Sequence, residues 1–96
     1  MMLKTIYASI GNSDDKLTQK QWASFTDEFV QTVTDLSEQF FGVWYSESTS
    51  EYQNMCVAFE IGEGAERELR GQLTRLRTDY FQDSIAWAEV PQTEFI

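Results

Sequence analysis

The sequence predicts an α+β two-layer sandwich, with a four-stranded antiparallel sheet and two helices on one of its faces. Three observations carry this reading. Two segments repeat apolar residues at steps of three and four, the spacing of a helix with one buried side. Four others are short and rich in β-branched and aromatic residues, and two of these alternate with period two. Their order along the chain is strand, helix, strand, strand, helix, strand.

Residues 3–10 open the chain as a half-buried strand, with Ile6, Ala8 and Ile10 on one side and Thr5, Tyr7 and Ser9 on the other. Gly11-Asn12-Ser13-Asp14-Asp15 supplies turn residues that stop it. Thr18 with Gln21 forms a capping box, which satisfies two helix N–H groups reciprocally. Trp22, Phe25, Phe29, Val33 and Leu36 then mark the buried stripe of a helix ending near residue 36. Residues 40–46, Phe-Phe-Gly-Val-Trp-Tyr-Ser, favour a strand, and the polar run 47–51 a loop. Residues 54–61 alternate most clearly, with Met55, Val57, Phe59 and Ile61 against Asn54, Cys56, Ala58 and Glu60. Gly62-Glu63-Gly64 ends that strand. A second helix over about 65–80 carries Ala65, Leu69, Leu73, Leu76 and Tyr80 on one stripe. Gln82-Asp83-Ser84 turns the chain into a last strand, 85–90, which Pro91 stops.

The order β-α-β-β-α-β is the split βαβ, or ferredoxin-like, topology. The term describes topology alone, since one Cys cannot hold an iron–sulfur cluster. Right-handed crossovers place both helices on the same face. The whole chain, 1–96, reads as one domain with 91–96 as a short C-terminal tail.

Charge narrows the function. Asp and Glu number 16 against 7 Lys and Arg, with no His, for a net charge of −9. Nucleic-acid binding needs clustered cations to neutralise phosphates, and anionic lipid needs the same. Neither partner is expected. The lone Cys56 allows no intrachain disulfide and no thiolate cluster, which fits a reducing interior. The N-terminal residues lack the apolar stretch of a signal peptide, and no run reaches the roughly 20 apolar residues of a membrane span. The expected location is the cytoplasm. Nucleophilic or metal catalysis lacks its usual partners here. The expectation is therefore a protein that is not an enzyme and carries no cofactor, although carboxylate-only acid–base chemistry stays open.

The sheet face without helices gathers Tyr7, Cys56 and Ala58. The second and fourth strands add either Trp44 or Tyr45, and either Trp87 or the Ala86/Ala88 pair. The candidate ligand or dimer face is Tyr7, Trp44, Cys56 and Trp87, because an apolar patch on a small domain marks an interface or groove. These rings imitate the stacking platform of RNA-recognition domains but lack its basic residues. Asp14-Asp15 has the oxygen ligands for Mg²⁺ or Ca²⁺, yet not the calcium-loop pattern, and reads better as negative charge before a helix N-terminus. Gly62-x-Gly64 reads as a helix entry, because Glu63, Glu66 and Glu68 would repel a phosphate. Arg67, Arg70 and Arg77 share a face of the second helix, with Arg75 offset. Glu63→Arg67 and Glu66→Arg70 are i,i+4 pairs worth about 0.2–0.5 kcal/mol each. The strip is either a solvated, salt-bridged face or a local grip on an acidic partner.

The runs Ile6-Tyr7-Ala8-Ser9-Ile10-Gly11-Asn12 and Gln82-Asp83-Ser84-Ile85, with Trp22 and Phe25 between them, resemble small uncharacterised ferredoxin-like proteins of bacteria and their phages. The resemblance spans most of the chain and brings no assigned chemistry. It implies a setting in which small acidic accessory proteins block host defence or nucleic-acid enzymes. The leading expectation is thus an acidic inhibitor that occupies a protein partner with a basic surface. Its contact residues would be Asp14, Asp15, Asp27, Glu28, Asp35, Glu38, Glu47 and Glu51. The alternative is a homodimer that binds a small ligand between open sheet faces. A third reading is an assembly component that docks Phe95 and Ile96 on a neighbour.

Overall fold

The computed structural model describes residues 2–12, 16–47, 52–91 and 94–96. Its elements are β1 (Leu3–Gly11), α1 (Gln19–Leu36), β2 (Gln39–Tyr45), β3 (Asn54–Gly62), α2 (Glu63–Asp79) and β4 (Ala86–Val90). All pairings are antiparallel and the sheet order is β2-β3-β1-β4, so the α+β ferredoxin-like arrangement is present.

Alternation decides which residues meet. Ile6, Ala8 and Ile10 of β1 and Met55, Val57, Phe59 and Ile61 of β3 all point at the helix layer and are buried. α1 answers with Phe25, Phe29 and Val33, and α2 with Leu69 and Leu73. Phe25 is wholly buried and stacks on Tyr80 with ring centroids 4.7 Å apart, so the aromatic stripe ties the end of α2 to α1.

Local signals place the helix ends. Thr18 accepts a hydrogen bond from the Gln21 backbone N–H, and the Gln21 side chain accepts from the Thr18 N–H, completing the capping box. α2 starts at Glu63, directly after β3, so Gly64 lies inside its first turn instead of in a loop. Glu63 and Glu66 in that turn complement the positive end of the helix dipole. At its other end, Tyr80 caps α2 and Phe81 takes a left-handed conformation with φ 56°. Phe81 N–H then bonds to Thr78 O and Gln82 N–H to Arg77 O, a Schellman ending with phenylalanine where glycine is usual.

β2 carries a bulge that its sequence does not signal. Phe40 pairs with Phe59 and Gly42 with Ala58, leaving Phe41 as the extra residue. Phe95 and Ile96 stand clear of the domain, almost fully exposed. Among the described residues, no helix is long and apolar enough to cross a membrane.

Candidate functional site

The register across the sheet builds three rows on the face that no helix covers. Gly42, Ala58, Tyr7 and Ala88 form the central row, because Ala58 and Ala88 both pair with Tyr7. Trp44, Cys56, Ser9 and Ala86 form a second row. Gln39, Glu60, Thr5 and Val90 form the third. Of these twelve residues only Glu60 is charged.

Small residues around Tyr7 leave its ring standing free, 48% exposed. Trp44, 58% exposed, lies back along its own strand: a Cβ built on Gly42 would meet the tip of its ring at 3.4 Å. Gly42 is therefore the floor on which the indole rests. Ala58 is buried although no helix lies over it. Beside Trp44, a shallow groove of about 360 Å³ runs past Ser9, Ser46, Asn54 and Cys56. Cys56 is half-buried and its thiol donates to the Val57 carbonyl at 3.7 Å.

Sequence left two orientations open, and the ladders decide both. Trp44 pairs with Cys56 and lies on the open face, whereas Tyr45 pairs with Met55. Trp87 pairs with Ala8 and so belongs to the helix side, which corrects its assignment to the ligand face. The physical reason is packing: its ring meets Phe59 edge-to-face at 5.8 Å and lies under the Arg70 guanidinium at 4.6 Å. Ala86 and Ala88 take the open-face positions instead.

The acidic candidates are spread. Asp27, Glu28 and Asp35 all lie on the exposed half of α1, where Gln31 donates to Asp35 at 2.8 Å and the Tyr80 hydroxyl donates to Glu28. Glu38 and Glu47 flank opposite ends of β2 and are not brought together. Asp14, Asp15 and Glu51 lie outside the described residues. Among the described residues, no three His, Cys, Asp or Glu side chains converge on a metal-sized site.

Glu66 is the hub of the charged surface on the helix side. It meets Lys4 at 3.2 Å and Arg70 at 3.1 Å, while Lys4 also approaches Glu89 at 3.9 Å. Burial pushes the Glu66 carboxyl up, but the hydrogen bonds from Lys4 and Arg70 outweigh it and hold the group below its ordinary value. The same contacts with Glu66 raise Lys4. The i,i+4 pair Glu66–Arg70 therefore forms, whereas Glu63 and Arg67 make no ion pair among the described residues.

No family model matches the chain, and no curated protein does. Solved structures do match. Rv0793 from Mycobacterium tuberculosis aligns with a TM-score of 0.60 at 13% identity, over 98% of each chain. A DUF3240 family protein from Shewanella baltica aligns with a TM-score of 0.54 at 15% identity, over 100% of this chain and 99% of that one. SnoaB, a cofactor-independent oxygenase from Streptomyces nogalater, aligns with a TM-score of 0.59 at 8% identity, over 98% and 95%. The chain thus shares the fold of small bacterial ferredoxin-like proteins. At these identities the likeness concerns the fold alone.

One expectation falls with this comparison. The lack of His and of a metal-ligand set in the sequence predicts a chain that is not an enzyme. The same fold serves an oxygenase that works without a cofactor, so that inference does not hold.

Proposed function

We propose that the chain acts as a homodimer, in which two open sheet faces meet and enclose a small apolar ligand beside Tyr7, Trp44 and Cys56. One observation carries this reading: among the twelve described residues in the three rows of the open face, Glu60 is the single charged one, on a chain of net charge −9. Two such copies repel each other through almost any other contact. Here the electrostatic penalty is least, and two exposed rings gain by burial. Four strands of nine, seven, nine and five residues, about 4.8 Å apart, give a plane of roughly 480 Å² per copy, which side-chain relief and the Phe41 edge extend toward the ~1,000 Å² total of specific interfaces.

Light scattering tests the proposal. The expected mass is that of a dimer at low and high salt, and Ala88→Glu, an exposed change beside Tyr7, should give a monomer of unchanged circular dichroism. A monomeric parent chain, or a dimer untouched by Ala88→Glu, overturns it. An apolar fluorescent dye should quench Trp44 in the dimer only. Because an oxygenase shares the fold, oxygen uptake with aromatic substrates separates a carrier from an enzyme.

A second reading has its own support. α1 exposes Asp27, Glu28 and Asp35 with Lys20 as its one cation, so it could meet a protein with a basic surface, as a phage-type inhibitor would. Reversing Asp27 and Asp35 to Lys separates the two. It should weaken capture by an immobilised basic protein if this reading holds, and leave the dimer mass unchanged.

A further inference from the structure

The cationic strip of α2 has a second side that neither reading above uses. Between α2 and β4 lies a cleft of 140 Å³, lined by Arg70, Leu73, Thr74, Arg77, Ile85 and Trp87. Two of its six residues are arginines and none is acidic, in a chain with more than twice as many carboxylates as cations.

Its hydrogen-bonding groups are unbalanced toward donors. Arg77 is half-buried, and its Nη1 donates to the carbonyls of Gln82 at 3.0 Å and Asp83 at 3.3 Å. These bonds fix the guanidinium without neutralising it, since Arg77 has no carboxylate partner among the described residues. Arg70 shares its Nε with Glu66, and its two terminal nitrogens make no hydrogen bond among the described residues. The Thr74 hydroxyl is occupied by Arg70 O at 2.7 Å. The indole Nε1–H of Trp87 is buried and has no acceptor among the described residues. A buried donor left unpaired costs about 1–3 kcal/mol, so such a group normally has a partner.

We propose that this cleft binds a small oxyanion, the carboxylate or phosphate group of a compact organic acid, with Arg70, Arg77 and the Trp87 Nε1–H as its donors. Planar guanidinium groups suit both anions, and an indole N–H supplies the further donor that either accepts. Leu73 and Ile85 offer an apolar wall to the rest of the molecule. Neither the dimer nor the acidic-partner reading is required.

The indole N–H resonances of the three tryptophans provide the test, with Trp87 assigned by its loss in Trp87→Phe. Isotope-labelled protein is titrated with butyrate and, separately, with inorganic phosphate, both against sodium chloride at matched ionic strength. The expected result is a saturable downfield shift of the Trp87 resonance alone with one of the two anions, which also identifies the class. Arg77→Gln should weaken that binding about tenfold or more. Because Arg77 also holds the α2–β4 turn, Arg70→Gln is the second variant, expected to weaken binding with the Trp87 resonance otherwise in place. A shift that does not saturate, that chloride reproduces, or that survives both substitutions overturns the proposal.

Discussion

The Asn12 side chain pairs with the Leu17 backbone as one strand residue pairs with another: Nδ2 donates to Leu17 O at 3.0 Å, and Oδ1 accepts from Leu17 N–H at 3.0 Å. The same Nδ2 also reaches the Gln53 side chain at 2.9 Å, and the Asn12 N–H bonds to Gln53 O at 2.8 Å. A buried amide thus joins the end of β1, the entry to α1 and the approach to β3. Asn12→Ala leaves the Leu17 groups without these partners and should destabilise the domain by about 2–4 kcal/mol. Urea unfolding measures this, and a loss below ~1 kcal/mol would mean that water replaces the amide.

Gly42 and Trp44 separate stability from site geometry. Gly42 has an ordinary strand φ, so nothing in the backbone requires glycine there. Gly42→Val adds methyl groups where the indole now lies and should lift Trp44 from its place. β-Branched residues suit strands, so stability should change by no more than about 1 kcal/mol. The expected signature is a red-shifted Trp44 emission and weaker dimer or ligand affinity at nearly constant urea midpoint. Unchanged emission would show that the ring does not rest on Gly42.

Much of the architecture could be read from the chain because it is written locally. The capping box at Thr18, the stripe Trp22–Phe25–Phe29–Val33 and the alternation 54–61 each lie within one element. What escaped was set between elements. β4 has two apolar sides as a sequence, Ile85 and Trp87 against Ala86 and Ala88. Contact with Phe59 and Arg70, far away in the chain, holds Trp87 inward. The bulge at Phe41 lies in a run, Phe40-Phe41-Gly42-Val43, that lacks the alternation needed to reveal a skipped partner. The anion cleft escaped for a related reason: Arg70 and Arg77 were visible as a strip, but their meeting with Trp87 was not. The greater width of Ile and Trp beside Ala was the signal that could have oriented β4.

The charged hub gives the acid limb of stability. Glu66 titrates below its ordinary value in the folded chain, so ionised Glu66 stabilises the fold above the unfolded carboxylate pKa. That contribution is lost as pH falls through the lower, folded value. Glu66→Gln should therefore flatten the decline in stability across the acid range while leaving a lower plateau near neutrality. A variant whose decline with acid matches the parent would show that other carboxylates control it.

Tyr80 sets the alkaline limb. Burial, and then its hydrogen bond to Glu28, raise the phenol from its ordinary 10.0 to about 12. The unfolded phenol ionises first, so the neutral, folded Tyr80 adds stability in full below pH 10.0, and this is lost as pH climbs toward 12. Ultraviolet titration should find one of the four tyrosines ionising last, and Tyr80→Phe should remove that step. Glu28→Gln should bring it to lower pH. If all four titrate together, the Glu28 bond does not persist in solution.

Phe81 is the one non-glycine residue with positive φ among the described residues, and its side chain is 74% exposed. The left-handed conformation costs a residue with a Cβ about 1–2 kcal/mol, and little burial of the ring offsets it. Glycine removes that strain but gains freedom in the unfolded chain worth roughly 0.4–1 kcal/mol. The balance leaves Phe81→Gly more stable by up to about 1 kcal/mol, with the Arg77–Gln82 hydrogen bonds and the adjoining cleft intact. Thermal and urea unfolding check the sign. A destabilised variant would mean that the Phe81 ring makes a contact the isolated domain does not contain, as a second copy or partner seated at the α2–β4 turn would provide.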